Sequence, residues 1–131
     1  MSTFELEALN NYPEEGPVTM LNLIKFREQS LDGNGTGLEA YLRYADVAVK
    51  LIRDRRGEVV WMGTVEHLAL HEGGDVDWDM AQLVYYPDRA TFIDMVTSQE
   101  YIEANVHRTN GTEKHAILAT TTRISNSFPT E

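Results

Sequence analysis

The stretch Pro17 to Phe26, PVTMLNLIKF, limits what this chain can fold into more than any other part of it. It is long enough for a strand and apolar on both faces. Alternation puts Val18, Met20, Asn22, Ile24 and Phe26 on one side, and Thr19, Leu21, Leu23 and Lys25 on the other. Neither row is suited to water, so the strand is expected inside a sheet. Asn22 breaks the first row, and a buried amide must find hydrogen-bond partners or line a cavity. Its side of the strand is expected to face helices.

Around this strand the periodicities set an order. Residues 1–16 read as a short helical turn and a loop, an N-terminal extension ahead of the strand. A glycine-dense loop, Glu28 to Gly37, leads to a helix marked by the capping-box pair Thr36 and Glu39. Leu38, Tyr41, Leu42, Ala45, Ala48, Val49 and Ile52 form its expected buried stripe, with Tyr44 and Leu51 at the margin. Glu58 to His71 reads as a long strand, followed by the acidic loop Glu72 to Asp79. Met80 to Tyr86 reads as a third strand. After Pro87 comes a helix capped by Asp88, then a second segment restarted by Thr97 and Glu100, which is expected to bury Tyr101, Ile102 and Val106. His115 to Arg123 is the last strand. Residues 124–131 form a tail that is either mobile or packed on a partner.

Strand, helix, strand, strand, broken helix, strand is the βαββαβ order of α+β ferredoxin-like folds, a four-stranded antiparallel sheet with helices on one face. The helix-free face is also apolar, and such a face is a contact surface. Two copies meeting there would form a dimeric α/β barrel. A chain of 131 residues fits one such domain spanning residues 1–131.

The balance of charge narrows the partners. With 21 acidic against 11 basic side chains the formal net charge is −10, which repels nucleic-acid phosphates and anionic membranes alike. The absence of cysteine removes thiol chemistry and disulfides. No stretch reads as a leader or a membrane span, so a cytosolic protein is expected.

Taken together, LNLIKF, EAYLRYADV, RGEVVWMG, YYPDRATFIDMV and SQEYIEANVHR resemble the dimeric α/β-barrel proteins grouped as domain of unknown function 1330. The similarity runs over about residues 17 to 122. It implies a ferredoxin-like homodimer and brings no accepted activity with it. More distant barrels of this shape include cofactor-free monooxygenases, isomerases and stress-response binding proteins, an analogy of fold alone.

The residues that could carry chemistry are few. Gly33, Gly35 and Gly37 lie between strand and helix without phosphate-loop spacing, so no nucleotide is expected. His67 and His71 on a strand would stand about 13 Å apart, too far for one metal ion. The run DVDWD lacks the full calcium-loop pattern, so the acidic loop reads as solvated. No metal and no cofactor is called for.

His107 and Arg108 close a helix, where cations contribute roughly 0.3–1 kcal/mol against the helix dipole. Alternatively they reach a pocket between helix and sheet, His107 moving a proton and Arg108 holding an oxyanion. Tyr41, Tyr44 and Trp61 are core, or else they shape that cavity with Asn22. The function expected is a homodimer binding a small apolar or aromatic oxygenated molecule. Catalysis would be cofactor-independent, by proton transfer or oxygenation. A non-catalytic or stress-associated binding dimer and a purely structural dimer are the alternatives.

Overall fold

The computed structural model describes residues 4–126. Its elements are α1 (Leu6–Asn10), β1 (Val18–Phe26), α2 (Gly37–Asp54), β2 (Glu58–Thr64), β3 (Met80–Tyr86), α3 (Arg89–Val96), α4 (Gln99–Gly111) and β4 (Thr112–Thr120). From β1 to β4 this is the expected βαββαβ order. The four strands form one antiparallel sheet in the order β2-β3-β1-β4. The fold is ferredoxin-like, with β1 as an inner strand. Among the described residues no helix is long and apolar enough to cross a membrane.

Register assigns the two faces of β1. Val18, Met20, Asn22 and Ile24 are buried, and they lie level with Tyr86, Val84, Gln82 and Met80 of β3. Asn22 therefore faces the helices. On the opposite side Trp61, Leu83, Leu21 and Leu118 form one apolar row across all four strands. At its two ends Trp61 is 37% and Leu118 48% exposed.

The expected cap of α2 is present: Thr36 accepts from the Glu39 backbone N–H and Glu39 accepts from that of Thr36. Its buried stripe is rotated from the expected one. Ala40, Tyr41, Tyr44, Ala48, Leu51 and Ile52 are inside, while Leu38 and Leu42 are 41% and 50% exposed. The cause is close packing of α2 on α4. A Cβ on Gly37 would stand 2.6 Å from the Gly111 carbonyl oxygen, and one on Gly111 would stand 2.8 Å from the Tyr41 nitrogen. Two glycines at the crossing let the backbones touch, which turns the Tyr41–Tyr44 side inward. On α4 the same geometry buries Tyr101, Ala104 and Arg108 and leaves Ile102 and Val106 exposed, against expectation.

Three boundaries differ from the sequence reading. β2 stops at Thr64, and residues 65–79 leave the sheet. The acidic segment stays largely exposed, as expected, and its aspartates also reach the end of β1. The Asp79 carboxylate accepts from the Phe26 N–H at 2.9 Å, Lys25 pairs with Asp77 at 3.1 Å, and Lys114 pairs with Asp75 at 2.6 Å. Ser98, not Thr97, caps α4: Thr97 keeps helical backbone as the C-cap of α3, and Ser98 takes the extended conformation of an N-cap and accepts from the Tyr101 N–H. β4 begins at Thr112 directly after α4 and ends at Thr120. The expected tail beyond residue 126 lies outside the described residues.

A run of ring contacts ties the helices to the sheet, passing from Phe26 through Tyr41, Tyr44, Tyr101, Phe4 and Phe92 to Tyr86 at centroid spacings of 5.2–5.9 Å. The edge-on pairs among them add about 0.5–1.5 kcal/mol each beyond the area they bury.

Candidate functional site

Four polar side chains join α4, β4 and β1 beneath the helices. Arg108, only 4% exposed, donates from Nε to Asn105 Oδ1 at 2.6 Å and meets His115 Nδ1 at 3.0 Å through Nη1. His115 Nε2 lies 2.8 Å from Asn22 Oδ1, and Asn22 Nδ2 donates to the Met20 carbonyl at 3.3 Å. A guanidinium only donates, so His115 Nδ1 must accept. The imidazole proton therefore sits on Nε2 and is given to Asn22. Every step of the chain then runs in one direction, from cation to amide.

The same geometry sets the charge of His115. Burial, and then the Arg108 guanidinium facing Nδ1, push its pKa down to about 3. The ring stays neutral at ordinary pH with both nitrogens committed. It acts as a spacer that holds Arg108 and Asn22 in register.

Beside this chain the tyrosines satisfy one another. The Tyr44 and Tyr101 hydroxyls are 2.9 Å apart, and Gln82 Nε2 donates to the Tyr41 hydroxyl at 2.9 Å. Burial drives the Tyr41 hydroxyl up to about 12 and that of Tyr44 well above its ordinary value, so both stay protonated.

Besides a polar hollow of about 330 Å³ at the α4–β4 junction, lined by Arg27, Arg108, Lys114 and His115, two cavities with apolar walls flank the polar chain. A small one of about 80 Å³ lies between helices and sheet, lined by Asn22, Tyr41, Tyr44 and Gln82. A larger cleft of about 430 Å³ opens beside β4 under α1, within the size range of small-molecule sites. Phe4, Leu9, Met20, Phe92 and Ile117 give it apolar walls, and Arg89, Arg108, Arg123 and His115 supply polar groups. Phe92 and Ile117 line both cavities. The Arg89 guanidinium lies 4.0 Å from the centre of the Tyr12 ring, closing one end of the cleft.

Of the residues singled out from sequence, the structure brings Asn22 and Arg108 into one network and sets Tyr41 and Tyr44 around the smaller cavity. Two are placed elsewhere. His107 lines neither cavity, and its buried Nδ1 has no hydrogen-bond partner among the described residues. Residue 107 lies about 100° around the helix from residue 108, and only one of them can point inward. Trp61 is on the outer face of the sheet, level with Leu83 and folded over Gly63, away from the helix-side cavities. A bulge between Val59 and Trp61 shifts the alternation and sends its ring outward.

His115 was missed by sequence reasoning. Its signal was its alternation with Ile117 and Ala119 on the side of β4 that faces the helices. The contribution of α1 had no local signal, because Phe4, Leu9 and Tyr12 become cleft wall only once α1 packs beside α3.

No family model matches the chain, and no curated protein matches it. Among solved structures, the RPA0582 protein of unknown function from Rhodopseudomonas palustris is similar over 95% of this chain and 97% of its own, at 29% identity and TM-score 0.84. Its methylated form gives 31% identity and TM-score 0.83 over 97% and 96%. SnoaB, a cofactor-independent oxygenase from Streptomyces nogalater, shares the fold at 14% identity and TM-score 0.56, over 84% of this chain and 96% of its own. A dimeric ferredoxin-like protein of unknown function from Thermobifida fusca shares it at 12% identity and TM-score 0.51, over 86% and 97%.

Proposed function

The chain belongs to the family of the Rhodopseudomonas palustris RPA0582 protein, and on that footing we propose that it is a homodimer that binds a small, largely apolar molecule in the cleft under α1. The observation that carries this reading is the cleft itself: about 430 Å³, apolar walls, and a buried, hydrogen-bonded guanidinium at its floor. A buried charge costs several kcal/mol unless it is compensated, and Arg108 is held at the floor by a dedicated chain of neutral groups. The outer row of Trp61, Leu83, Leu21 and Leu118 is the surface for the second copy, in keeping with the dimeric Thermobifida fusca protein of the same fold. Membership of the domain of unknown function 1330 group goes with this reading and rests on the quoted motifs.

Thermal unfolding in the presence of a panel of apolar small molecules tests it. A ligand at about a hundred times its Kd contributes about 2.7 kcal/mol, or roughly 8 °C for a chain of this size. Ala119 is exposed and lines the cleft. Ala119→Trp should fill the space and abolish the shift, and a shift that survives it contradicts the placement.

A second reading, catalysis without a cofactor, is favoured by the Arg108–His115–Asn22 chain and by the fold shared with SnoaB. Arg108 would steady negative charge developing on a substrate in the cleft, and Asn22, which lines the smaller cavity, would act only by holding His115. His115 is a poor base, since both its nitrogens are occupied and its pKa is low. Product analysis of any molecule that gives a thermal shift separates the two readings. Unchanged ligand after prolonged incubation in air refutes the catalytic one.

A further inference from the structure

We propose that the ligand of the cleft is an apolar carboxylate, its acid group set among Arg89, Arg108 and Arg123 and its ring-sized body against Phe92 and Ile117. This rests on the cleft being the ligand site and adds the charge of what it takes.

The chain carries 11 Lys and Arg against 21 Asp and Glu, yet this cleft gathers three arginines and one carboxylate, Glu5. A neutral ligand would need none of them. Elsewhere Lys25, Arg43, Lys50, Arg55 and Lys114 each have an aspartate within 3.8 Å, whereas Arg27, Arg53 and Arg56 have no ion pair among the described residues. Among the described residues no carboxylate pairs with Arg89 or Arg123. The contacts of Arg89 are the Tyr12 ring and, at 3.5 Å, the Thr121 hydroxyl. Three guanidinium groups against one carboxylate make this opening a positive spot on an acidic protein, which draws anions to that point.

Phe4, Leu9, Met20, Phe92 and Ile117 are apolar, so the cleft suits one charged head on an apolar body rather than a polyanion. Guanidinium forks match the planar carboxylate in a paired geometry. The neutral state of His115 fits as well. With its Nδ1 turned to Arg108, the ring adds no competing charge and keeps the guanidinium in place.

Calorimetric titration of the full chain with 2-naphthoate and with its neutral counterpart 2-naphthamide tests this. The carboxylate should bind about tenfold tighter or more, and the gap should narrow as salt rises, because Arg123 is exposed. In Arg123→Gln, and further in Arg89→Gln/Arg123→Gln, the preference should shrink to about threefold or less, with unfolding curves confirming that each variant is folded. Equal binding of both probes overturns the charge assignment while leaving the cleft a ligand site. Binding of neither overturns both, and a carboxylate preference untouched by the arginine variants overturns the place assigned to it.

Discussion

Replacing His115 by asparagine should change how the fold responds to acid, and the size of the change follows from the ring's surroundings. In the unfolded chain a histidine titrates near 6.5, whereas folded His115 takes its proton only at about 3, because burial and the Arg108 guanidinium oppose it. The folded-state pKa is depressed. Above about pH 7.5 both states are neutral and the ring has no effect on pH dependence. Below 6.5 the unfolded chain binds a proton that the native chain refuses, so native stability falls by about 1.4 kcal/mol per pH unit. Between pH 7.5 and 4.5 that integrates to roughly 2.6 kcal/mol.

Asparagine keeps an acceptor near the position of Nδ1, carries no titrating proton and loses the donor to Asn22. The variant should therefore be less stable at pH 7.5 by about 1–3 kcal/mol, the cost of a buried acceptor left unmet, and should close that gap as the pH falls. Urea unfolding of both proteins at pH 7.5, 6.5, 5.5 and 4.5 measures it, with shared carboxylate effects cancelling in the difference. Parallel stability curves would show that His115 is not held neutral by Arg108, and the directed hydrogen-bond chain would be wrong.

The remaining expectations concern packing and assembly. Gly111→Ala places a Cβ 2.8 Å from the Tyr41 backbone nitrogen. Backbone cannot step aside as a flexible side chain can, so a loss of about 1–3 kcal/mol is expected from denaturant curves; an unchanged midpoint would refute the close α2–α4 crossing. Leu21→Glu puts a charge in the middle of the Trp61–Leu83–Leu21–Leu118 row. Light scattering should then give half the native mass with an unaltered circular dichroism spectrum, and an unchanged mass would refute the sheet face as the dimer surface. Tyr44→Phe strips the Tyr101 hydroxyl of its 2.9 Å partner inside the ring stack, for a loss of about 1 kcal/mol by thermal unfolding.

Features set by neighbouring residues were legible in the sequence. The two apolar faces of β1, the Thr36–Glu39 box and the βαββαβ order all stand as read, because alternation and capping depend on a few adjacent side chains. Asn22 could be flagged because a polar residue in an apolar row has no local reason to be there. Features that depend on contact between distant elements were not legible. The stripe of α2 is turned by glycines that meet only across two helices, leaving Leu38 and Leu42 outside. His107 and His115 look alike in a sequence, and the choice between them is made by which face of α4 packs inward and by the register of β4 on β1. The acidic segment 72–79 is solvated as read, but its ion pairs to Lys25 and Lys114 on the sheet join distant parts of the chain and could not be read locally. The cleft combines α1, α3, α4 and β4, and no single stretch contains enough of it to announce it.

The claim that the edge cleft receives the ligand is tested most directly by mapping amide chemical shifts of the isotope-labelled chain during titration with 2-naphthoate. The changes should gather on α1, on the His115–Thr121 stretch of β4 and its exit, and around Arg89 and Phe92, with the indole of Trp61 unaffected on the far face of the sheet. Shifts centred on Trp61, Leu83 and Leu118, or none at all at millimolar probe, would contradict it.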